Sequence, residues 1–243
     1  MRLKVCSMAS PPRKRREAAI ADVPIATPAP PSGPLATTSY TISAGTHLHR
    51  VHKSKYNATQ LNPSTTGNAR FSPISDKDNE PVATMYAAST RDAALMETLF
   101  HDVPYTSGLK TLDSGKMDGL VHSEITAMKD INLVDLTGVP LRKLGLTRKQ
   151  IIDTEKDCYP LTRSWAEAIH TQCPDAQGLS WMSRQDDTAR AYVFFGDRLS
   201  AGALSPVGTS KSLAEDSETT DAVYALAERI GVVMVDGDEG YDE

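Results

Sequence analysis

The pattern of apolar and polar positions predicts strands and helices that are mixed without a regular βαβ rhythm. Strict alternation and short apolar runs bounded by turn residues predict strands, while recurrence every three to four residues predicts helices. The predicted strands are 47–52, 68–74, 82–88, 131–138, 178–183, 191–199 and 231–236, with 178–183 and 191–199 forming a hairpin. The predicted helices run from Thr90 to about Val103, from Ser164 to Gln172, and from a cap at Thr219 through Ile230. This mixture favours an α+β fold in a single domain.

The helix predicted after Thr90 carries a glutamate among its apolar positions. On a helical projection, Glu97 lies between Ala93 and Ala94 and beside Phe100, on the side that the pattern marks for burial. A buried carboxylate costs free energy unless it is paired, hydrogen-bonded or used by the protein. Glu97 is therefore the first candidate functional residue.

Charge and proline content separate an N-terminal segment from the rest of the chain. Residues 1–44 hold seven of the fifteen prolines and a net charge of +4, which leaves −9 for the remainder of a chain whose total is −5. Such a segment cannot bury enough apolar surface to order itself. We therefore expect a disordered basic, proline-rich arm over 1–44, a folded domain over 45–236 and an acidic tail over 237–243.

Several classes of protein are disfavoured. With 243 residues and 40% hydrophobic residues, the chain suits one globular domain. No apolar run approaches the ~18 residues needed to span a bilayer, and no secretory signal is recognisable. Three scattered cysteines do not make a disulfide framework. We therefore expect a cytoplasmic protein without membrane contact. The acidic body gives no electrostatic footprint for nucleic acid, and the RKRR run at 13–16 is interpreted as a solvated tail.

No familiar catalytic fingerprint is present, because GxxxxGK[ST], GxGxxG, GxSxG and HExxH are all missing. The first predicted strand carries His47, His49 and His52, but no second cluster supplies the remaining ligands of a metal site. No metal is therefore expected.

What remains is a scattered set of polar residues: Arg50, Arg70, Tyr86, Glu97 and Ser183. Arginine binds phosphate oxygens bidentately, tyrosine offers a stacking face, and a carboxylate accepts hydrogen bonds from ribose hydroxyls. The set suits a ligand with phosphates, an aromatic ring and a sugar. In the alternative interpretation, Arg50 and Glu97 form a buried ion pair, Tyr86 belongs to the core, and the protein is a non-catalytic binding or structural module.

The order of these segments resembles the RES domain family, which is named for Arg, Glu and Ser. The resemblance is carried by HLHRVH, GNARFSPI and MYAASTRDAALMETLFHD, in which Glu97 follows Tyr86 by eleven residues, and by the later NLVDLTGVPLRKLGL and GLSWMSR. It spans about residues 46 to 235. It implies an ADP-ribosyltransferase-like mixed sheet with flanking helices. It also implies the toxin half of a Res–Xre toxin–antitoxin pair, and hence an Xre-type antitoxin as partner.

The resemblance also implies a reaction and a role for each residue. NAD⁺ is the substrate, no resident cofactor is expected, and the nicotinamide–ribose bond is cleaved by hydrolysis or phosphorolysis; transfer of ADP-ribose to a protein is the alternative. Glu97 would be the catalytic carboxylate, Arg50 would hold a phosphate or ribose, and Tyr86 would stack near the nicotinamide. Arg70 would be a second phosphate-binding or structural arginine, and Ser183 would hydrogen-bond the nicotinamide ribose. The long arm and the stretch between Pro104 and Asn132 depart from the family pattern.

Overall fold

A computed structural model describes residues 26–237, which contain twelve strands and four α-helices. The strands are β1 (Ser39–Ile42), β2 (His47–Lys53), β3 (Ile74–Ser75), β4 (Pro81–Val82), β5 (Thr84–Ala88), β6 (Lys110–Asp113), β7 (Leu120–Ala127), β8 (Ile131–Asp135), β9 (Gly178–Met182), β10 (Arg190–Phe195), β11 (Leu204–Ser212) and β12 (Val232–Val235). The helices are α1 (Arg91–Met96), α2 (Arg148–Ile151), α3 (Tyr159–Gln172) and α4 (Ser217–Arg229). None of the helices in this part of the chain is long and apolar enough to cross a bilayer.

Eight strands form one mixed sheet in the order β1-β8-β9-β10-β5-β2-β7-β11. Neighbouring strands are antiparallel except β8 and β9, which are parallel. Strands β2 and β5 share a single residue pair, His49 opposite Ala88, whereas β2 pairs with β7 along its whole length. The sheet therefore opens between β2 and β5.

The core is divided by this sheet. On one face, α3 packs Trp165 and Ile169 against residues of β8, β9 and β10. Helices α1 and α4 pack together with β6 and β12 in a second cluster. A third cluster includes Tyr192 and Phe194 of β10. Val193, which lies between them along the strand, points to the opposite face and belongs to the cluster that packs against α3. The alternation buries both faces of β10, as expected for a central strand.

Most of the predicted strands are confirmed with shifted ends, and β9 and β10 form the predicted antiparallel hairpin. The strand predicted over 68–74 is wrong: residues 68–73 form a turn closed by Ala69 and Ser72, and only Ile74 enters β3. Strands β6 and β7 lie in the stretch 104–131, where no element was predicted, and β11 was also missed.

The helix after Thr90 is shorter than predicted. The Thr90 side chain does cap it, by accepting a hydrogen bond from the backbone N–H of Ala93. It ends at Met96, where the α-helical hydrogen-bond pattern is lost: the N–H groups of Thr98 and Phe100, three and five residues on, also donate to the carbonyl of Leu95. Glu97 is therefore the half-buried C-cap residue of α1, and its backbone N–H still donates to the carbonyl of the buried Ala93 one turn earlier.

The boundary predicted at residue 45 lies too late in the chain. Strand β1 pairs with β8 at the edge of the sheet. Before it, the Thr27 hydroxyl donates to the carbonyl of Gln150 at 2.6 Å, and the buried Trp165 Nε1 donates to the carbonyl of Pro28 at 2.7 Å. Residues 26–44 thus belong to the fold, because they form hydrogen bonds with backbone groups and with the Trp165 indole of the folded domain. The rest of the predicted arm (1–25) and residues 238–243 of the predicted tail lie outside the described residues.

Candidate functional site

A cavity of about 430 Å³ lies where β2 and β5 diverge. Its wall is formed by β2, the turn at 68–70, β5, the end of α1 and the start of α3. Four of the five predicted site residues line it, namely Arg50, Arg70, Tyr86 and Glu97. The fifth, Ser183, lies behind Glu97.

Glu97 is oriented through one of its two carboxylate oxygens. Its Oε1 accepts a hydrogen bond of 2.6 Å from the Ser183 hydroxyl and one of 3.2 Å from the backbone N–H of Arg184. Within residues 26–237, Oε2 has no hydrogen-bond partner and Glu97 forms no ion pair. The carboxylate is thus fixed on one side, with its other oxygen open to a ligand.

Ser183 is fully buried, and all of its hydrogen-bonding capacity is in use. Its hydroxyl donates a hydrogen bond to Glu97, and the hydroxyl oxygen accepts from the backbone N–H groups of Gln185 (3.0 Å) and Asp186 (3.1 Å). A hydroxyl has one proton and two lone pairs. Ser183 therefore holds Glu97 in place, which differs from the predicted direct contact with a ribose because no proton is left for one.

Tyr86 presents its half-buried ring to the cavity from β5. The ring packs edge-on against Trp181, with centroids 6.3 Å apart, and the hydroxyl oxygen accepts from the backbone N–H of Phe71 at 3.0 Å. Burial raises the pKa of Tyr86 to about 12, so the phenol keeps its proton near neutral pH. The ring is held as a rigid, neutral wall.

Arg70 brings a positive charge to the cavity from the turn at 68–73. Its Nη1 donates to the hydroxyl oxygen of Thr154 at 2.8 Å, and its guanidinium lies 5.1 Å from the centre of the Tyr159 ring. Burial is the main cause that lowers the pKa of Arg70. No carboxylate in the described part of the chain lies within ion-pair distance of it, so its charge is available to an anionic ligand.

Arg50 is buried and is used mainly to hold the loop that follows β2. Its Nη1 donates to the carbonyls of Ala58 and Gln60, each at 2.9 Å. Burial lowers the pKa of Arg50 to about 10, which leaves the guanidinium charged near neutral pH. Among residues 26–237, Arg50 and Glu97 do not form an ion pair, so the alternative of a closed Arg50–Glu97 pair is wrong.

Three contributors to the site were not predicted. The backbone N–H of Arg184 reaches Glu97, Thr154 supports Arg70, and Tyr159 lines the cavity beneath the Arg70 guanidinium. The position of Arg184, directly after Ser183, was the available signal for the first. Nothing in the local sequence pattern distinguishes Thr154 or Tyr159 from ordinary turn and core residues.

Comparison with known proteins agrees with this architecture. Residues 47–215 match the family model of the RES domain. No curated protein matches the chain. Among solved structures, the crystal structure of the M. tuberculosis MbcT–MbcA toxin–antitoxin complex is similar, with a TM-score of 0.56 and 16% sequence identity over 77% of this chain and 92% of that chain. This likeness confirms the expected α+β fold. Because the family match covers more than half of the sequence, the chain belongs to the RES domain family.

Proposed function

We propose that this protein is a toxin-type enzyme that degrades NAD⁺ by cleaving the bond between nicotinamide and ribose. The observation that carries the proposal is the Glu97 carboxylate, which is fixed through one oxygen by Ser183 and Arg184 at the wall of the cavity. Membership of the RES domain family and the likeness to a toxin–antitoxin complex support the toxin class.

The chemistry of NAD⁺ explains why one oriented carboxylate suffices. When the glycosidic C–N bond breaks, the bonding pair moves onto the cationic ring nitrogen, and nicotinamide leaves as a neutral molecule without a general acid. Positive charge develops on the ribose, as in other oxocarbenium-like transition states. In the proposal, Glu97 Oε2 faces that charge and stabilises it, and because Oε1 is already held, no reorganisation is needed at the moment of reaction.

The remaining side chains would bind the dinucleotide. Arg70 carries a charge without a carboxylate partner among the described residues and would hold the pyrophosphate, since a guanidinium binds phosphate oxygens bidentately. Tyr86 would stack on the nicotinamide ring. Arg50 would reach a phosphate or ribose only through Nε and Nη2, because Nη1 is engaged with the loop at 57–60.

The direct test is the variant Glu97→Gln. The amide oxygen of glutamine can still accept from Ser183 and Arg184, so the fold should be retained while the negative charge is removed. We expect nicotinamide release from NAD⁺ to fall by about 10²–10³-fold, the usual effect of deleting one preorganised electrostatic group. The matched control is Glu228→Gln on the exposed surface of α4, which should leave release unchanged. A folded Glu97→Gln protein with near-wild-type turnover refutes the assignment.

The group that attacks C1 of the ribose is identified by the products. Water gives ADP-ribose and a proton, inorganic phosphate gives the 1-phosphate of ADP-ribose, and a protein side chain gives a labelled protein. We rank degradation by water or phosphate above transfer to a protein, and the comparison of products with and without phosphate decides between them. A protein that releases no nicotinamide and gains no thermal stability from NAD⁺ would instead be a non-catalytic module.

We further propose an antitoxin protein as partner, of the Xre type that the family resemblance implies. The likeness to a toxin–antitoxin complex supports this proposal. A purified Xre-type candidate should form a stable complex with this chain and abolish nicotinamide release. A complex that forms but leaves the activity unchanged would argue against an antitoxin role.

A further inference from the structure

Helix α2 and the turn after it contact the turn that orients Glu97 without reaching the cavity. Arg148 of α2 donates from Nη1 to the carbonyl of Met182 at 2.9 Å and from Nη2 to the carbonyl of Ser183 at 2.8 Å. Its Nε donates to Asp153, with N–O distances of 3.0 and 3.1 Å to the two carboxylate oxygens. The planar fork of Arg148 is thus engaged in three directions, a geometry that lysine cannot reproduce.

The two carbonyls that Arg148 holds belong to the segment that supplies both donors to Glu97. Strand β9 ends at Met182, Ser183 follows with its hydroxyl on Glu97, and Arg184 follows with its backbone N–H on the same oxygen. Because Arg148 fixes the peptide groups on either side of the Ser183 backbone, it sets the direction of these donors. Arg148 itself does not line the cavity.

The turn that follows α2 also contacts Arg70, through the buried side chain of Thr154. The Thr154 hydroxyl oxygen accepts from Arg70 Nη1 at 2.8 Å, and the Thr154 carbonyl accepts from Arg184 Nη1, also at 2.8 Å. Residues 148–154, which we name the bracket, therefore join the two charged groups of the site: Glu97 through the 182–184 turn, and Arg70 directly.

We propose that Arg148 and Thr154 are positioning residues of the reaction, an inference that rests on the proposed function. Arg148 acts through the 182–184 turn on the carboxylate that stabilises the transition state. Thr154 acts on the guanidinium that binds the pyrophosphate in the ground state and transition state alike. The two residues should therefore have different kinetic signatures, since the loss of uniform binding raises KM while the loss of transition-state stabilisation lowers kcat.

The test compares nicotinamide release by Arg148→Met, Arg148→Lys and Thr154→Val. We expect Arg148→Met to lower kcat by about 10–100-fold with KM for NAD⁺ nearly unchanged, because a misplaced catalytic group costs rates of that order. Arg148→Lys, which keeps the charge but donates from a single nitrogen, should recover part of the loss. Thr154→Val, which keeps the shape and removes the acceptor, should raise KM several-fold and leave kcat close to wild type. The control is Arg142→Met, which removes an exposed guanidinium from the neighbouring Pro140–Leu144 turn of 3-10 helix.

A double-mutant cycle shows whether Arg148 works through the turn. Combined with Ser183→Ala, Arg148→Met should add little, because both changes release the same carboxylate. Fully multiplicative losses, or a wild-type kcat in folded Arg148→Met, overturn the inference. A wild-type protein that releases no nicotinamide refutes the proposed function instead. The positioning role is then decided by a crystal structure of Arg148→Met: loss of the Ser183–Glu97 hydrogen bond supports the role, and an unchanged turn overturns it.

Discussion

Ser183→Ala is the most informative single change in this protein, because it alters the orientation of the Glu97 carboxylate while leaving Glu97 itself unchanged. The substitution removes the hydroxyl that donates to Glu97 Oε1 at 2.6 Å. Among residues 26–237, the backbone N–H of Arg184 at 3.2 Å would then be the one remaining donor to the carboxylate, which could rotate about its side-chain bonds. Alanine has nearly the same volume as serine, so the buried site should not collapse.

The expected magnitudes follow from the hydrogen bonds that are lost. A hydrogen bond to a charged group contributes about 1.5–3 kcal/mol, which corresponds to a fall in kcat of about 10- to 150-fold if the bond is expressed fully in the transition state. The backbone N–H groups of Gln185 and Asp186 also lose their acceptor. Both lie in a half-buried turn where water can replace part of the loss, so the free energy of unfolding should fall by about 1–3 kcal/mol.

The assay measures kcat from nicotinamide release at saturating NAD⁺ and the free energy of unfolding from urea titrations. The matched control is Ser164→Ala, which removes a hydroxyl whose one hydrogen bond within the described part of the chain is to the carbonyl of Pro160 in its own helix. In the Glu97→Gln background, Ser183→Ala should lower kcat little further. The reasoning is refuted if folded Ser183→Ala turns over like wild type, or if its loss is the same with and without the Glu97 carboxylate.

Three further predictions concern the fold around the site. Gly178→Ala should lower the free energy of unfolding by at least about 1–3 kcal/mol in urea titrations, because a Cβ there would lie 2.1 Å from the Val193 carbonyl oxygen; an unchanged midpoint would contradict the close approach. Trp165→Phe should cost about 1–3 kcal/mol in the same measurement, since the carbonyl of Pro28 loses its indole donor. Burial lowers the pKa of His122 from 6.5 to about 4, so as the pH falls the unfolded chain binds a proton at this residue before the native one does. The contribution of His122 to stability should be fully present above pH 6.5 and be lost, by about 1–3 kcal/mol, as the pH falls towards 4; burial also lowers the pKa values of His49 and His52, which add to the fall in the same direction. His122→Gln should reduce that fall without abolishing it, and an identical pH dependence in the variant would contradict the assignment.

The limits of prediction are physical, as β7 illustrates. Its burial alternates regularly along LVHSEITA, yet one of its four buried positions is Ser123. That side chain is accepted in the interior because it hydrogen-bonds His52 Nε2 and the Ser210 hydroxyl, which are far away in sequence. A polar residue whose partners come from other strands breaks the apolar alternation that would have predicted the strand. Strand β1 was missed for a similar reason, since its partner β8 lies about ninety residues later.

The candidate site, too, could be predicted from the sequence only in part. Local periodicity singled out Glu97 within a longer helix, whereas the structure makes it the half-buried C-cap of a short α1, one turn after the buried Ala93. The ordered set Arg50, Arg70, Tyr86, Glu97 and Ser183 was predicted from the family resemblance, and the structure brings four of them to one cavity with Ser183 behind. The bracket could not be predicted, because its contacts depend on the backbone carbonyls of Met182 and Ser183, which carry no signal in the side-chain sequence.

The segment at 26–44 has a practical consequence for anyone who shortens this protein. A version that begins at residue 45 would remove the acceptor of the Trp165 indole, the hydroxyl on the Gln150 carbonyl, and the outermost strand of the large sheet. An uncovered strand edge at β8 pairs readily with other chains, so the trimmed protein should aggregate. Failure of such a version to purify would report on the missing edge strand and not on the chemistry of the cavity, and purification should keep every residue from 26 onward.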